Sequence, residues 1–169
     1  MKIVGISGWS GNGKTTLLVQ VIPALIARGY TVSSVKHAHH NFDVDTPGKD
    51  SYRHREAGAK EVMVASAARW ALMHENREED EPGIYDLIKH MTPVDILLVE
   101  GFKREDFPKI EVWRDEGRGE PLHRNDKTVV AVATNDKNLQ TSLPVLDLED
   151  AESIADFIVE IFLKEDVTR

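Results

Sequence analysis

The stretch Gly8-Trp9-Ser10-Gly11-Asn12-Gly13-Lys14-Thr15 matches G-x-x-x-x-G-K-[ST], and it directly follows the apolar run Lys2–Ser7. That spacing is the spacing of a loop that wraps phosphate. Glycines let the backbone turn tightly with its N–H groups pointing inward, and the positive end of the helix that follows faces the same anion. In such a loop Lys14 reaches the β- and γ-phosphates and the Thr15 hydroxyl ligates Mg²⁺, with Thr16 beside it in the first turn of the helix.

A second chemical signal ends the most apolar run of the chain, Val94-Asp95-Ile96-Leu97-Leu98-Val99-Glu100-Gly101. Ligands of open parallel sheets sit at the carboxyl ends of the strands, which favours Glu100 over Asp95 as the acid near Mg²⁺ or an attacking water. The third signal is Lys36-His37-Ala38-His39-His40-Asn41-Phe42-Asp43-Val44-Asp45. It leaves the second strand on the rim that carries the phosphate loop. His37, His39 and His40 either ligate a metal or hydrogen-bond in a polar loop, because no fixed zinc spacing is present. Between these readings, Asp45 is the preferred acid for Mg²⁺, while Lys36 and the histidines meet phosphate or a second anionic ligand. Further along, Arg53, His54, Arg55 and Lys60 either hold phosphate or a partner, or form a solvated helix face paired with Asp50 and Glu56.

These residues need a scaffold, and the periodicity supplies one. Leu17, Val21 and Leu25 recur every four residues, Leu18, Ile22 and Ile26 run parallel to them, and Gly29 closes the helix. Pro23, inside that pattern, predicts a kink or an early break. A strand over Thr31–Lys36 completes a βαβ unit. Glu61–Ala65 and Trp70–Met73 read as a short antiparallel pair. A helix over 81–91 carries Ile84, Leu87, Ile88 and Met91, and Pro93 stops it. Strands follow at Lys109–Trp113, Thr128–Ala133 and near Val145, then an amphipathic helix through Ile154, Ile158, Ile161 and Phe162. The expected fold is α/β, a mostly parallel P-loop NTPase sheet flanked by helices with an antiparallel extension. Residues 1–169 are read as one domain.

Composition narrows the function classes. With 29 acidic against 21 basic residues the formal charge is −8, which argues against a nucleic-acid surface. The absence of cysteine excludes disulfides, iron–sulfur clusters and thiolate zinc sites. No apolar run approaches the roughly twenty residues that cross a bilayer, and no cleavable leader pattern is present, so the cytoplasm is the expected compartment.

Taken in order, the phosphate loop, Val35–His40 with Asp43 and Asp45, Pro47–Ser51, Ala57-Gly58-Ala59, Arg69–Leu72, and Leu97–Lys103 followed by Pro108-Lys109-Ile110 resemble the molybdopterin-guanine dinucleotide biosynthesis protein B (MobB) family. The resemblance spans nearly the whole chain. It implies a homodimeric GTP-binding protein with weak GTPase activity, an accessory to the guanylyltransferase MobA that attaches GMP to molybdopterin. It also suggests Lys36, Lys49, Lys103 and Lys109 as contacts for the phosphate of molybdopterin or for the partner. In place of an N-K-x-D base-reading segment the chain has Thr134-Asn135-Asp136, so Asn135 and Asp136 are the candidate guanine readers, or a simple turn. Trp9 occupies a position where ParA-like ATPases carry lysine, which argues against that branch. The alternatives are a small-molecule kinase using ATP, disfavoured because the segment Glu75–Glu81 is acidic where a lid needs arginine, and a GTP-driven metal-delivery protein, supported only by the histidines.

Overall fold

Residues 1–38, 42–116 and 119–163 are described in a computed structural model of the chain. They sort into two compact units, one of residues 1–37 with those from 91 onward and a smaller one of residues 38–90.

The larger unit is built on six parallel strands. In chain order these are β1 (Lys2–Ser7), β2 (Val32–Lys36), then β5 (Ile96–Glu100), β6 (Lys109–Trp113), β7 (Val129–Thr134) and β8 (Val145–Asp147), laid side by side as β2-β5-β1-β6-β7-β8. β5 is buried at all five positions, as a central strand covered on both faces must be. Two helices, α1 (Lys14–Ala27) and α4 (Ala151–Phe162), share one core with the sheet. Val4, Ile6, Leu98, Ile110, Val112 and Ala131 meet Leu17, Val21, Leu25, Ile154 and Ile158 there, all at most 3% exposed. Asp150 caps α4 by accepting from the Ser153 amide at 3.0 Å. Arg28 joins the helices by donating to Asp156 and Glu152, each at 2.8 Å.

Alternation along β6 sends Lys109, Glu111 and Trp113 to the sheet's other face. Loops with buried charges cover that face. Glu111, wholly buried, accepts from the amides of Leu122 (2.6 Å) and His123 (3.0 Å) and from His123 Nδ1 (2.6 Å). Lys109, suggested as a contact for a phosphate or the partner, is 1% exposed and donates to the Glu105 carbonyl and the Thr128 hydroxyl, with Asp126 at 3.4 Å. Burial opposes ionisation of Asp126, but the Thr128 hydroxyl and amide and the Lys109 ammonium outweigh it and hold the carboxyl below its ordinary range.

Three expectations change in detail. The first helix runs unbroken through Pro23, whose ring lies on the exposed side, because Leu18, Val21, Ala24 and Leu25 anchor the turns around it. Ile26 is 54% exposed and does not extend the buried row. The helix expected over 81–91 is α3 (Ile84–Ile88), with the chain turning from Lys89 onward.

The smaller unit holds α3, the helix α2 (Asp50–Glu56) and the antiparallel hairpin of β3 (Glu61–Ala65) and β4 (Trp70–His74). Arg55 is its organising residue: Nη2 donates to Asp45 (3.0 Å) and Asp43 (2.9 Å), Nη1 lies 3.6 Å from Glu75, and the guanidinium stacks on Tyr52. Across the hairpin, Glu61 faces His74 with Oε1 at 2.7 Å from Nδ1. The Glu61 bond, helped by Glu79, raises the His74 pKa against a smaller desolvation effect. A raised histidine pKa gives stability that is fully present below the unfolded value of about 6.5 and is lost as pH rises through the folded value. His74 is therefore expected to titrate above its ordinary value by NMR. Exchange protection of the hairpin amides, corrected for intrinsic rates, should fall as pH rises through that point. In Glu61→Gln both effects should shrink; a His74 that titrates normally in the wild type defeats the argument.

Candidate functional site

The loop between β1 and α1 turns on three glycines with positive φ, Gly8 (146°), Gly11 (90°) and Gly13 (96°). Asn12, 2% exposed, pins its middle by donating from its own amide to the Trp9 carbonyl (3.2 Å) and from Nδ2 to the Val112 carbonyl on β6 (3.2 Å). Lys14 folds back onto the loop, donating to the carbonyls of Gly8 (3.0 Å) and Trp9 (3.1 Å). Burial pulls its ammonium below the usual lysine range; Glu100 opposes this, and Lys103 and Lys36 add to it. Ser10, Thr15 and Thr16 are exposed along the loop and the start of α1.

Glu100 stands where sequence order placed it. It ends β5, is 8% exposed, and accepts from the Thr15 hydroxyl at 2.9 and 3.1 Å. Lys36, at the end of β2, brings its ammonium to 3.4 Å from the Thr15 hydroxyl and 3.6 Å from Glu100. Register explains the meeting: Glu100 pairs with Lys36 on one side and Ile6 on the other, so three strand ends converge on the mouth of the loop. Asp95, at the other end of β5, closes the strand's start by accepting from the Thr31 amide (2.8 Å) and hydroxyl (2.6 Å). Its role is structural.

The flanks are aromatic. His37 donates its amide to the Glu100 carbonyl (2.8 Å), and its ring stacks on Phe102 at 4.5 Å. Phe102 has a φ of 48°, so the turn after Glu100 holds a bulky residue in the left-handed region. Trp9 donates from Nε1 to the Glu120 carbonyl (2.7 Å) and carries the Lys103 ammonium 4.3 Å from its ring centre. A cavity of about 630 Å³ opens there, lined by Trp9, Lys103, Glu120 and Asp126 among others. Its size suits a small molecule.

Other expected residues fall elsewhere. Asp45 lies in the smaller unit with a 4% exposed side chain and both oxygens turned to Arg55. Lys49 precedes α2 in the same unit and is exposed. His39 and His40 lie outside the described residues. Asn135 and Asp136 do follow β7 on the rim, where Asp136 Oδ1 accepts from the Asn138 amide at 2.8 Å, the bond of an Asx turn. Sequence reading passed over Arg114 and Glu149, although each follows the carboxyl end of a strand, which is the signal that would have found them. Arg114 donates from Nε to the Asn12 carbonyl (3.2 Å) and from Nη2 to Glu149 (3.0 Å).

Among the described residues no group of three or more histidine or carboxylate side chains is arranged to hold a metal by itself, and no helix is long and apolar enough to cross a membrane.

The family model for molybdopterin guanine dinucleotide synthesis protein B matches residues 3–135. A molybdopterin-guanine dinucleotide biosynthesis adapter protein of Escherichia coli (strain K12) is 46% identical over 166 residues, covering 96% of this chain and 94% of the relative. A protein of the same name from Haemophilus influenzae is 46% identical over 159 residues, covering 92% and 86%. Among solved structures, that of Bacillus subtilis MobB superposes with a TM-score of 0.72 at 26% identity, covering 95% of this chain and 97% of that one.

Proposed function

The chain belongs to the molybdopterin guanine dinucleotide synthesis protein B family, and from that premise we propose that it is a GTP-dependent adapter in the attachment of GMP to molybdopterin. The observation that carries the nucleotide half of this reading is the meeting of Lys14, Thr15, Glu100 and Lys36 at one loop mouth. The Thr15 hydroxyl and Glu100 carboxylate are hard oxygen donors drawn together around an ammonium, a set that fits Mg²⁺. With so few protein ligands, the ion is one that arrives with the phosphates rather than one held in a protein cage. When bound, Mg²⁺ would supply neutralisation of phosphate charge.

The chain's own groups do the rest. The loop amides and Lys14 would take the phosphate oxygens, Thr15 and Glu100 would hold the metal shell, and Glu100 would orient water. The side chains that meet Glu100 are Thr15 and Lys36, a hydroxyl and an ammonium in place of the arginine or glutamine of fast hydrolases, so turnover is expected to be slow and nucleotide state to serve as a signal. Lys103, against Trp9 in the cavity beside the loop, is our contact for the phosphate of molybdopterin. On the smaller unit one face of the hairpin leaves Met63, Trp70 and Leu72 exposed at 38–62%, an apolar surface that suits protein contacts. We assign it to a second copy of the chain or to the guanylyltransferase MobA.

Calorimetric titration with GTP, GDP and ATP, with Mg²⁺ and with EDTA, tests the reading. GTP is expected to bind in preference to ATP and more tightly with Mg²⁺. In Thr15→Val the gain from Mg²⁺ should fall about tenfold, the worth of one lost metal ligand near 1.4 kcal/mol, while binding in EDTA stays close to wild type. Preference for ATP would instead support a kinase and overturn the assignment.

A further inference from the structure

The two sides of the sheet give a nucleotide on this loop a direction. Under the reading just given, on which this inference rests, Thr15 and Glu100 take the metal, so the terminal phosphate points toward β5 and β2. The nucleoside must then leave over the opposite strands, β6, β7 and β8, whose carboxyl ends lie on the same rim. That side of the larger unit carries Asp115 and Glu116 after β6, Asp136 after β7, Asp147 at the end of β8, where it accepts from the Glu149 amide at 3.0 Å, and Glu149 just beyond it.

They are not equivalent. Asp136 commits Oδ1 to the amide that shapes its own turn. Glu149 Oε1 accepts from Arg114 at 3.0 Å, and the same guanidinium donates to the carbonyl of Asn12 inside the phosphate loop at 3.2 Å. One guanidinium therefore fixes the Glu149 carboxylate to the loop. The guanidinium also lies against Gly13, where a Cβ would stand 3.6 Å from Arg114 Nη2, an ordinary contact distance. The Glu149 side chain is 68% exposed, and its Oε2 accepts no bond among the described residues. An ion pair this open contributes little to stability. What it does provide is an acceptor held at a set distance from the phosphate site.

We propose that Glu149 selects guanine and that Arg114 is its positioning residue. Guanine presents N1–H and its 2-amino group as adjacent donors, and a carboxylate, acceptor-only, satisfies both. Adenine offers an unprotonated N1 at that edge, so lone pairs would face lone pairs. Xanthine carries a carbonyl where guanine has the amino group, and it too is rejected by a carboxylate but accepted by an amide that can donate. Its place after a strand end marks Glu149 as a rim residue, but its tie to the loop runs through a partner 35 residues upstream and no N-K-x-D spacing marks its role.

The test is calorimetric titration of the full chain and its variants with GTP, ATP and XTP in Mg²⁺. Glu149→Gln is expected to lose about 10- to 100-fold for GTP, the value of a hydrogen bond to a charged group, to gain affinity for XTP, and to keep the wild-type affinity for ATP, which also shows that the variant is folded. Arg114→Ala should lower the GTP-to-ATP ratio in the same direction, because an unheld carboxylate reads poorly. A wild-type chain that prefers GTP, together with a Glu149→Gln chain that keeps the wild-type GTP-to-XTP ratio, overturns this inference alone. So does a switch to XTP in Asp136→Asn. A wild-type chain that binds no nucleotide, or prefers ATP, overturns the reading beneath it as well.

Discussion

Lys14→Ala is expected to lower affinity for Mg²⁺·GTP about 100-fold or more while leaving the melting temperature unchanged or slightly raised. Both hydrogen bonds of the Lys14 ammonium go to carbonyls of its own loop, Gly8 and Trp9, and neither ties the loop to a distant element. Burial also pulls the group below its ordinary pKa, so the fold holds this cation at a cost. Removing it therefore takes away little that the folded state needs. With phosphate present the balance reverses, because each charge-assisted hydrogen bond is worth about 1.5–3 kcal/mol and every 1.4 kcal/mol is tenfold. Losing one or two such bonds gives the stated factor. Differential scanning calorimetry beside a binding isotherm separates the two effects. A variant that melts several degrees lower yet still binds GTP nearly as well would make Lys14 a framework residue, and the nucleotide reading would lose its main support.

How far this site can be read from the chain depends on how local each feature is. The phosphate loop is eight consecutive residues whose conformation follows from glycine positions, so its shape was legible. Glu100 was legible by a general rule about strand ends, and it ends β5 within hydrogen-bond distance of Thr15. The pairing of Asp45 was not. Its carboxylate has the same chemistry as any Mg²⁺ ligand, and only the folded chain shows that it faces Arg55. Lys109 lines the cavity beside Trp9, yet it is nearly covered, and that too depends on distant residues. Strand alternation alone puts it on a sheet face, but whether that face is solvent or covered depends on the loop carrying Asp126 and Thr128, about twenty residues later. Pro23 shows the converse, since a local penalty of about 3 kcal/mol in a helix interior predicts a kink or an early break, and the helix does not break. Burial of the flanking Leu18, Val21, Ala24 and Leu25, at about 1.5–3 kcal/mol for a large aliphatic side chain, outweighs it.

Gly8→Ala should be the most damaging single methyl in the loop, lowering stability by about 3 kcal/mol, whereas Gly11→Ala, farther along the same loop, should cost about 1 kcal/mol. Both glycines have positive φ, 146° and 90°, so both substitutions carry backbone strain of about 1–2 kcal/mol. They differ in what the new atom meets. At Gly11 nothing lies within 4 Å, but at Gly8 a Cβ would stand 2.4 Å from the carbonyl oxygen of Val112. That oxygen belongs to the backbone of β6 and cannot rotate aside, and overpacking of this kind adds about 1–3 kcal/mol. It is also the acceptor for Asn12 Nδ2, so any shift that relieves the overlap loosens the residue pinning the loop. For a chain of this length about 3 kcal/mol corresponds to a fall of roughly 10 °C in melting temperature. Thermal unfolding of the two variants side by side decides the matter, and equal melting temperatures would refute the collision. If Gly8→Ala melts well below Gly11→Ala, the first glycine of the motif is set by strand packing before any phosphate arrives. The anion site is then a turn that the sheet itself imposes.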